Sequence, residues 1–109
     1  MERVYNKLVR DNIPNIIKEK GETPIIKILD DIQYKSELEK KLYEEYKEVI
    51  EASGDERVEE LADMLEIIRA LAKLENKSLE DIISIADKKN EKRGAFEDMI
   101  FLEKVIENK

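Results

Sequence analysis

The sequence has 109 residues, enough for one domain with a modest core, and 43% of them are charged. It contains no cysteine and no histidine, which excludes disulfide bonds, thiolate metal sites and a histidine general base. The formal net charge of −7 argues against a protein that binds nucleic acid through a basic face. We expect a cytoplasmic protein with no membrane segment, because the chain begins with charged residues and has no apolar run of membrane-spanning length.

The N-terminal part of the chain predicts one short helix between two extended segments. Residues 4–9 are typical of a brief strand or an extended arm. Asn12 or the aspartate before it can cap a helix that has Pro14 in its first turn, and Gly21 is expected to end that helix. Residues 24–29 begin with a proline and are rich in isoleucine, which favours a second short extended segment.

Three longer helices are predicted over the rest of the chain. The first runs from about residue 32 to 52 and the second from about 56 to 75, with a Ser-Gly-Asp cluster between them. The segment from Ser78 to Asp81 resembles a capping box that opens a third helix, which should reach Arg93. The tail that follows has no clean period and carries no assignment. These patterns predict an all-α helical bundle.

In the first long helix, an acidic residue interrupts the apolar stripe. Leu42 and Val49 belong to a buried seam, and the seam position between them is Glu45. Glu48 follows three residues later, so the two acids share one face of the helix. Most charged pairs at this spacing are solvated, and spacing alone leaves that interpretation open. The position of Glu45 within the seam favours a functional site.

The second long helix shows the same interruption. Ile67 and Leu71 define its stripe, which continues toward the N-terminus to Asp63 and Glu60. Two antiparallel helices joined by a tight turn would therefore bring two acid pairs toward each other. Like charges about 4 Å apart repel by roughly 4 kcal/mol at an effective dielectric constant near 20, so protons or a cation must neutralise them. Carboxylate oxygens are ligands that Mg²⁺ prefers, and Mn²⁺ could substitute.

The third long helix ends in cations. Lys89 and Arg93 continue the apolar stripe that begins at Leu79, and Lys92 flanks them. Some of these charges are expected in any helix, because cations near its C-terminus interact favourably with the helix dipole. Arginine and lysine at these positions would also suit the phosphate oxygens of a substrate.

Taken together, these residues resemble the all-α NTP pyrophosphohydrolase superfamily, which includes the MazG proteins and the phosphoribosyl-ATP pyrophosphohydrolases of histidine biosynthesis. Residues 44–48 (EEYKE) match its EExxE motif and residues 60–63 (ELAD) match its ExxD motif. Residues 5–14 (YNKLVRDNIP) and 92–96 (KRGAF) look like its short, stand-alone house-cleaning branch. The resemblance implies a single MazG-like domain over residues 1–109, with a four-helix core completed by oligomerisation.

The same resemblance implies a site with acids for the metal and bases for the phosphates. The implied metal ligands are Glu45, Glu48, Glu60 and Asp63, and the implied catalytic carboxylates are Glu44 and Glu45. The implied phosphate contacts are Lys89, Lys92 and Arg93, and further substrate contacts are implied at Lys7 and Arg10. Only 11 residues separate Glu48 from Glu60, fewer than in many members, so the turn between the two helices should be tight.

The leading hypothesis is Mg²⁺-dependent hydrolysis of a nucleoside triphosphate to the monophosphate and pyrophosphate, which would remove surplus or noncanonical nucleotides. Hydrolysis of phosphoribosyl-ATP in histidine biosynthesis is an enzymatic alternative, because the metal motif does not encode recognition of the base or sugar. An alternative of another class is a non-catalytic acidic helical module that binds a protein partner. That module would explain the charge but not the acids within two apolar stripes.

The second long helix also predicts self-association. One apolar seam contains Leu61 and Leu65, and another contains Ile67 and Leu71. A chain of this length can hardly cover both seams, and exposed apolar stripes of that size usually mark an interface. We therefore expect a homodimer or a larger homo-oligomer.

Overall fold

The computed structural model describes residues 1–108, and over that range the chain forms four α-helices and no strand. The helices are α1 (Ile13–Glu19), α2 (Asp31–Glu51), α3 (Gly54–Leu74) and α4 (Leu79–Arg93). The all-α prediction is confirmed, and α2, α3 and α4 lie close to their predicted bounds. Residues 4–9 and 24–29 have no regular secondary structure, so neither segment is a strand. None of the four helices is long and apolar enough to cross a membrane.

The ends of α2 and α3 place the two helices in an antiparallel hairpin. Asp30 caps α2, because its side chain accepts a hydrogen bond from the backbone N–H of Gln33 at 2.8 Å. Only Ala52 and Ser53 separate α2 from α3, and Gly54 turns the chain with a positive φ of 59°. The connection is as tight as the sequence predicts. The largest contact between helices is the one between α2 and α3.

The predicted capping box opens α4. The backbone N–H of Asp81 donates to Ser78 Oγ at 3.1 Å, and the backbone N–H of Ser78 donates to Asp81 Oδ2 at 2.9 Å. Helix α3 contacts α4 less extensively than it contacts α2, whereas α1 contacts none of the other three helices. The hairpin of α2 and α3 is therefore the only extensive helix packing within residues 1–108.

The core is small for a chain of this length. Its buried apolar side chains are Leu38, Val49, Ile67, Ala72 and Leu79. The molecule measures 71 × 33 × 23 Å, with a radius of gyration of 19.3 Å. A compact domain of roughly 100 residues has a radius of gyration of about 13 Å. The single chain is therefore elongated, with arms that extend from the hairpin.

Large apolar side chains are exposed on these arms. In the segment between α1 and α2, Ile25 is 93% exposed, and in the segment after α4, Phe96 and Phe101 are 98% and 87% exposed. On α3 itself, Leu61 and Leu65 face solvent, while Ile67 is buried. The part of one predicted seam at Leu61 and Leu65 is thus uncovered, whereas Ile67 of the other seam packs within the chain.

Candidate metal site

Three acidic residues of the α2–α3 hairpin converge at one point. Glu45 comes from α2, and Glu60 and Asp63 come from one face of α3. One carboxylate oxygen from each lies within 4.8 Å of the other two, and all three side chains are half-buried. We call these residues the acid triad. Helical spacing places the two α3 acids one turn apart, and the antiparallel hairpin brings Glu45 against them.

Two oxygens of the acid triad are buried without a hydrogen-bond donor. The Oε2 atoms of Glu45 and Glu60 are shielded from solvent, and no described residue donates to them. A buried acceptor that lacks a donor is destabilising by about 1–3 kcal/mol, and a charged one by more. These oxygens therefore require a proton or a cation. A set of three carboxylates without nitrogen or sulfur ligands fits a hard divalent cation such as Mg²⁺.

The crowding of the carboxyls changes their acidity. The pKa of Glu60 is raised from 4.5 to about 7, first by hydrogen bonding of its protonated carboxyl to Glu48, then by burial and by Glu45. Burial, followed by the charge of Glu48, raises the pKa of Glu45. Without a cation, the site thus retains a proton at a pH where an ordinary glutamate is ionised.

The predicted ligand Glu48 lies at the rim of the acid triad. Its side chain is exposed, and its carboxyl is close enough to Glu45 and Glu60 to raise the pKa of both. It contributes no oxygen to the group within 4.8 Å. Glu44 lines a shallow groove on another face of α2, beside Tyr43 and Lys47. The structure thus groups three of the four predicted ligands, and a catalytic role for Glu44 stays a prediction.

A cation from the N-terminal arm contacts the acid triad. Arg10 Nη2 donates to Asp63 Oδ1 at 2.7 Å, although 53 positions separate the two residues. The sequence motif singled out Arg10 as a substrate contact, but no spacing rule links it to Asp63. Lys7 points elsewhere, with its ammonium 5.7 Å from the centre of the Tyr5 ring. Of these two predicted substrate contacts, only Arg10 lies at the site.

The basic end of α4 is not joined to the acid triad within the described chain. Lys89, Lys92 and Arg93 are exposed, and none of them forms an ion pair with a described acidic residue. Their predicted role in phosphate binding stays a prediction. Within the described residues, Arg10 forms an ion pair with the acid triad, whereas these three bases do not.

Comparisons with other proteins assign no activity. Over 43 residues, the chain is 46% identical to an uncharacterized protein of Mycolicibacterium smegmatis. That match covers 39% of this chain and 44% of the relative, so the chain spans less than half of the relative's length. No family model and no solved structure matches the sequence. The geometry of the acid triad and the motif resemblance are therefore the features that suggest a function.

Proposed function

We propose that this chain is an Mg²⁺-dependent pyrophosphohydrolase of the all-α NTP pyrophosphohydrolase superfamily. Its substrate would be a nucleoside triphosphate, and its products the monophosphate and pyrophosphate. The observation that carries the proposal is the acid triad, in which three carboxylate oxygens lie within 4.8 Å of one another. No residue within 1–108 donates a hydrogen bond to two of the buried carboxylate oxygens in this triad. The motif resemblance suggests the reaction class, and three of the four metal ligands that it implies form the triad.

Different residues of the chain would hold the metal ion and accept the proton. When bound, Mg²⁺ supplies positive charge for the phosphate oxygens and lowers the pKa of the attacking water. Glu45, Glu60 and Asp63 would hold the ion. Glu48 lies beside them and is exposed, so we propose its carboxylate as the acceptor of the proton from the water. The water oxygen bonds to the α-phosphorus, the bond from that phosphorus to the bridging oxygen breaks, and pyrophosphate leaves.

Product analysis tests this proposal directly. The protein should release pyrophosphate and a monophosphate from at least one member of a panel of nucleoside triphosphates and phosphoribosyl-ATP, and only when Mg²⁺ is present. Formation of a diphosphate and orthophosphate would contradict the assigned bond cleavage. If Mg²⁺ is shown to bind and no substrate turns over, the protein is better described as an acidic helical module that binds a protein partner.

We also propose that the protein is a homodimer or a larger homo-oligomer. On α3, Leu61 and Leu65 remain 47% and 43% exposed, next to the buried seam residue Ile67. The strongly exposed Phe96 and Phe101 add apolar surface that this chain does not cover. Light scattering at micromolar concentration should give at least twice the mass of one chain. A strictly monomeric mass would exclude the assembly.

A further inference from the structure

The ion pair between Arg10 and Asp63 connects the N-terminal part of the chain to α3. Residues 1–12, which we call the N-terminal arm, precede α1, and α1 contacts none of the other described helices. The other long-range ion pair of the arm, Arg3 Nη2 to Glu22 Oε2 at 2.7 Å, joins it to the segment just after α1. Among the described residues, the Arg10–Asp63 pair is thus the one ion pair between the arm and the α2–α3 hairpin.

This ion pair involves the same carboxylate that a metal would need. Arg10 Nη2 lies 2.7 Å from Asp63 Oδ1, and Asp63 is one of the three members of the acid triad. A guanidinium is always positively charged in proteins, so it cannot relieve repulsion by losing a proton. A divalent cation held by the triad and a guanidinium in contact with one of its ligands would repel each other at short range.

We propose that Arg10 and a divalent cation compete for Asp63, so that the N-terminal arm docks on the metal-free triad and detaches when the cation binds. This inference rests on the proposed metal site. Arg10 partly neutralises the acids in the absence of metal, and its departure uncovers the Asp63 edge of the triad. By thermodynamic linkage, the arm weakens metal binding by the same factor by which the metal weakens docking of the arm.

Calorimetric titration with Mg²⁺ of the full chain tests the competition. Arg10→Gln removes the resident cation, so it should bind Mg²⁺ about two- to fivefold more tightly than the wild type, the range that an exposed ion pair supports. Arg3→Gln is a matched control, because the pairs Arg3–Glu22 and Arg10–Asp63 have the same length of 2.7 Å and similar exposure. Its Mg²⁺ affinity should equal that of the wild type.

The outcomes separate this inference from the proposed function. Equal or weaker Mg²⁺ binding by Arg10→Gln, with measurable binding by the wild type, would overturn the competition and leave the metal site standing. Binding by Arg10→Gln alone would support the competition in its strongest form. If the wild type, Arg10→Gln and Arg3→Gln all fail to bind Mg²⁺, the proposed metal site is wrong and the competition falls with it.

A second measurement follows the arm itself. Because the chain has no cysteine, a Val9→Cys variant can carry a single nitroxide label next to Arg10. Addition of Mg²⁺ should increase the mobility of the label in the wild-type background. In the Arg10→Gln background, the label should already be mobile, and Mg²⁺ should not change it further. A label that stays equally immobile at saturating Mg²⁺ would show that the arm is not released.

Discussion

The α2–α3 hairpin has i,i+3 pairs of charged residues at two levels along its length, and the two levels differ in the charges that they pair. At one level, Lys40 Nζ contacts Glu37 Oε1 on α2, and Arg69 Nε contacts Glu66 Oε1 on α3, both at 3.2 Å and both i,i+3 pairs. At the other level, nearer the turn, the i,i+3 partners are acids, and the acid triad forms across the hairpin. The chain thus pairs acids with bases within one helix at the first level, whereas at the second level it brings three carboxylates together across the two helices.

The comparison shows that a high acid content does not by itself explain the acid triad. Exposed acid–base pairs at this spacing stabilise a helix by about 0.2–0.5 kcal/mol and need no ligand. The triad concentrates negative charge on half-buried oxygens, and only Arg10 offsets it from within the described chain. We expect substitutions at the two levels to have effects of different size on activity and stability, and we expect those effects to depend differently on Mg²⁺.

The largest difference between substitutions at the acid triad and substitutions at the acid–base level should appear in catalytic activity. Glu60→Gln removes a triad carboxylate, and we expect kcat/KM to fall by about 100-fold or more, since a catalytic metal ion supplies several kcal/mol of charge stabilisation. Glu66→Gln removes an acid from the same helix at the other level and should leave kcat/KM unchanged. Steady-state assay of pyrophosphate release measures both. An equal loss in the two variants would mean that the triad has no special role.

The next largest difference between the two kinds of substitution should appear in how much Mg²⁺ stabilises the folded protein. At a free Mg²⁺ concentration of about 100 times Kd, the ion should stabilise the wild type by about 2.7 kcal/mol. Glu45→Gln relieves repulsion and should be at least as stable as the wild type without metal, but it should gain much less from Mg²⁺. Glu39→Gln, on an exposed part of α2, should behave like the wild type. Thermal melts of the three proteins with and without Mg²⁺ decide this, and an identical metal-induced shift in all three would exclude Glu45 as a ligand.

The pH dependence of stability should also distinguish the triad from ordinary surface acids. Because folding raises the pKa of Glu60 from 4.5 to about 7, its contribution to stability is full below pH 4.5 and is lost as the pH rises through 7. Urea unfolding of the metal-free protein between pH 4.5 and 8 should show this loss, and Glu60→Gln should remove it. Hydrogen bonds with Ser78 lower the pKa of Asp81, so its contribution disappears only at more acidic pH. A metal-free profile that is the same in Glu60→Gln and the wild type would contradict the assignment.

The smallest effects should come from the acid–base level of the hairpin. Lys40→Gln removes the partner of Glu37, and Arg69→Gln removes the partner of Glu66. Each change should lower the free energy of unfolding by no more than about 0.5 kcal/mol, with or without Mg²⁺. Chemical denaturation measures this difference. A Mg²⁺-dependent change in either variant would show that the two levels are coupled.

Local sequence patterns predicted most of the helical framework. The Ser78–Asp81 capping box and the tight turn at the Ser-Gly-Asp cluster could be predicted, because caps and turns depend on residues a few positions apart. The helix face on which each acid lies could be predicted for the same reason. Val49 is buried at its seam position, and Glu45, one turn earlier, is half-buried against α3.

Other features depended on how distant segments meet. The contact of Arg10 with Asp63 spans 53 positions, so no helical period could reveal it. The rim position of Glu48 follows from the way α2 faces α3, because spacing within α2 only places it on the same face as Glu45. Residues 24–29 carry a strand-like composition but form no strand, since a strand needs a neighbour for its backbone hydrogen bonds.

By itself, the sequence determined where the helices begin and end and which face of each carries acids, because hydrogen bonds between neighbouring turns, caps and a 3.6-residue period are properties of short segments. Only the tertiary structure decided which of those acids share one site and which cation lies on them. The distance between two side chains on different segments depends on the packing of the helices that carry them. Among the described residues that packing is concentrated in one hairpin, which brings Glu45, Glu60 and Asp63 together, and the basic end of α4 forms no ion pair with them.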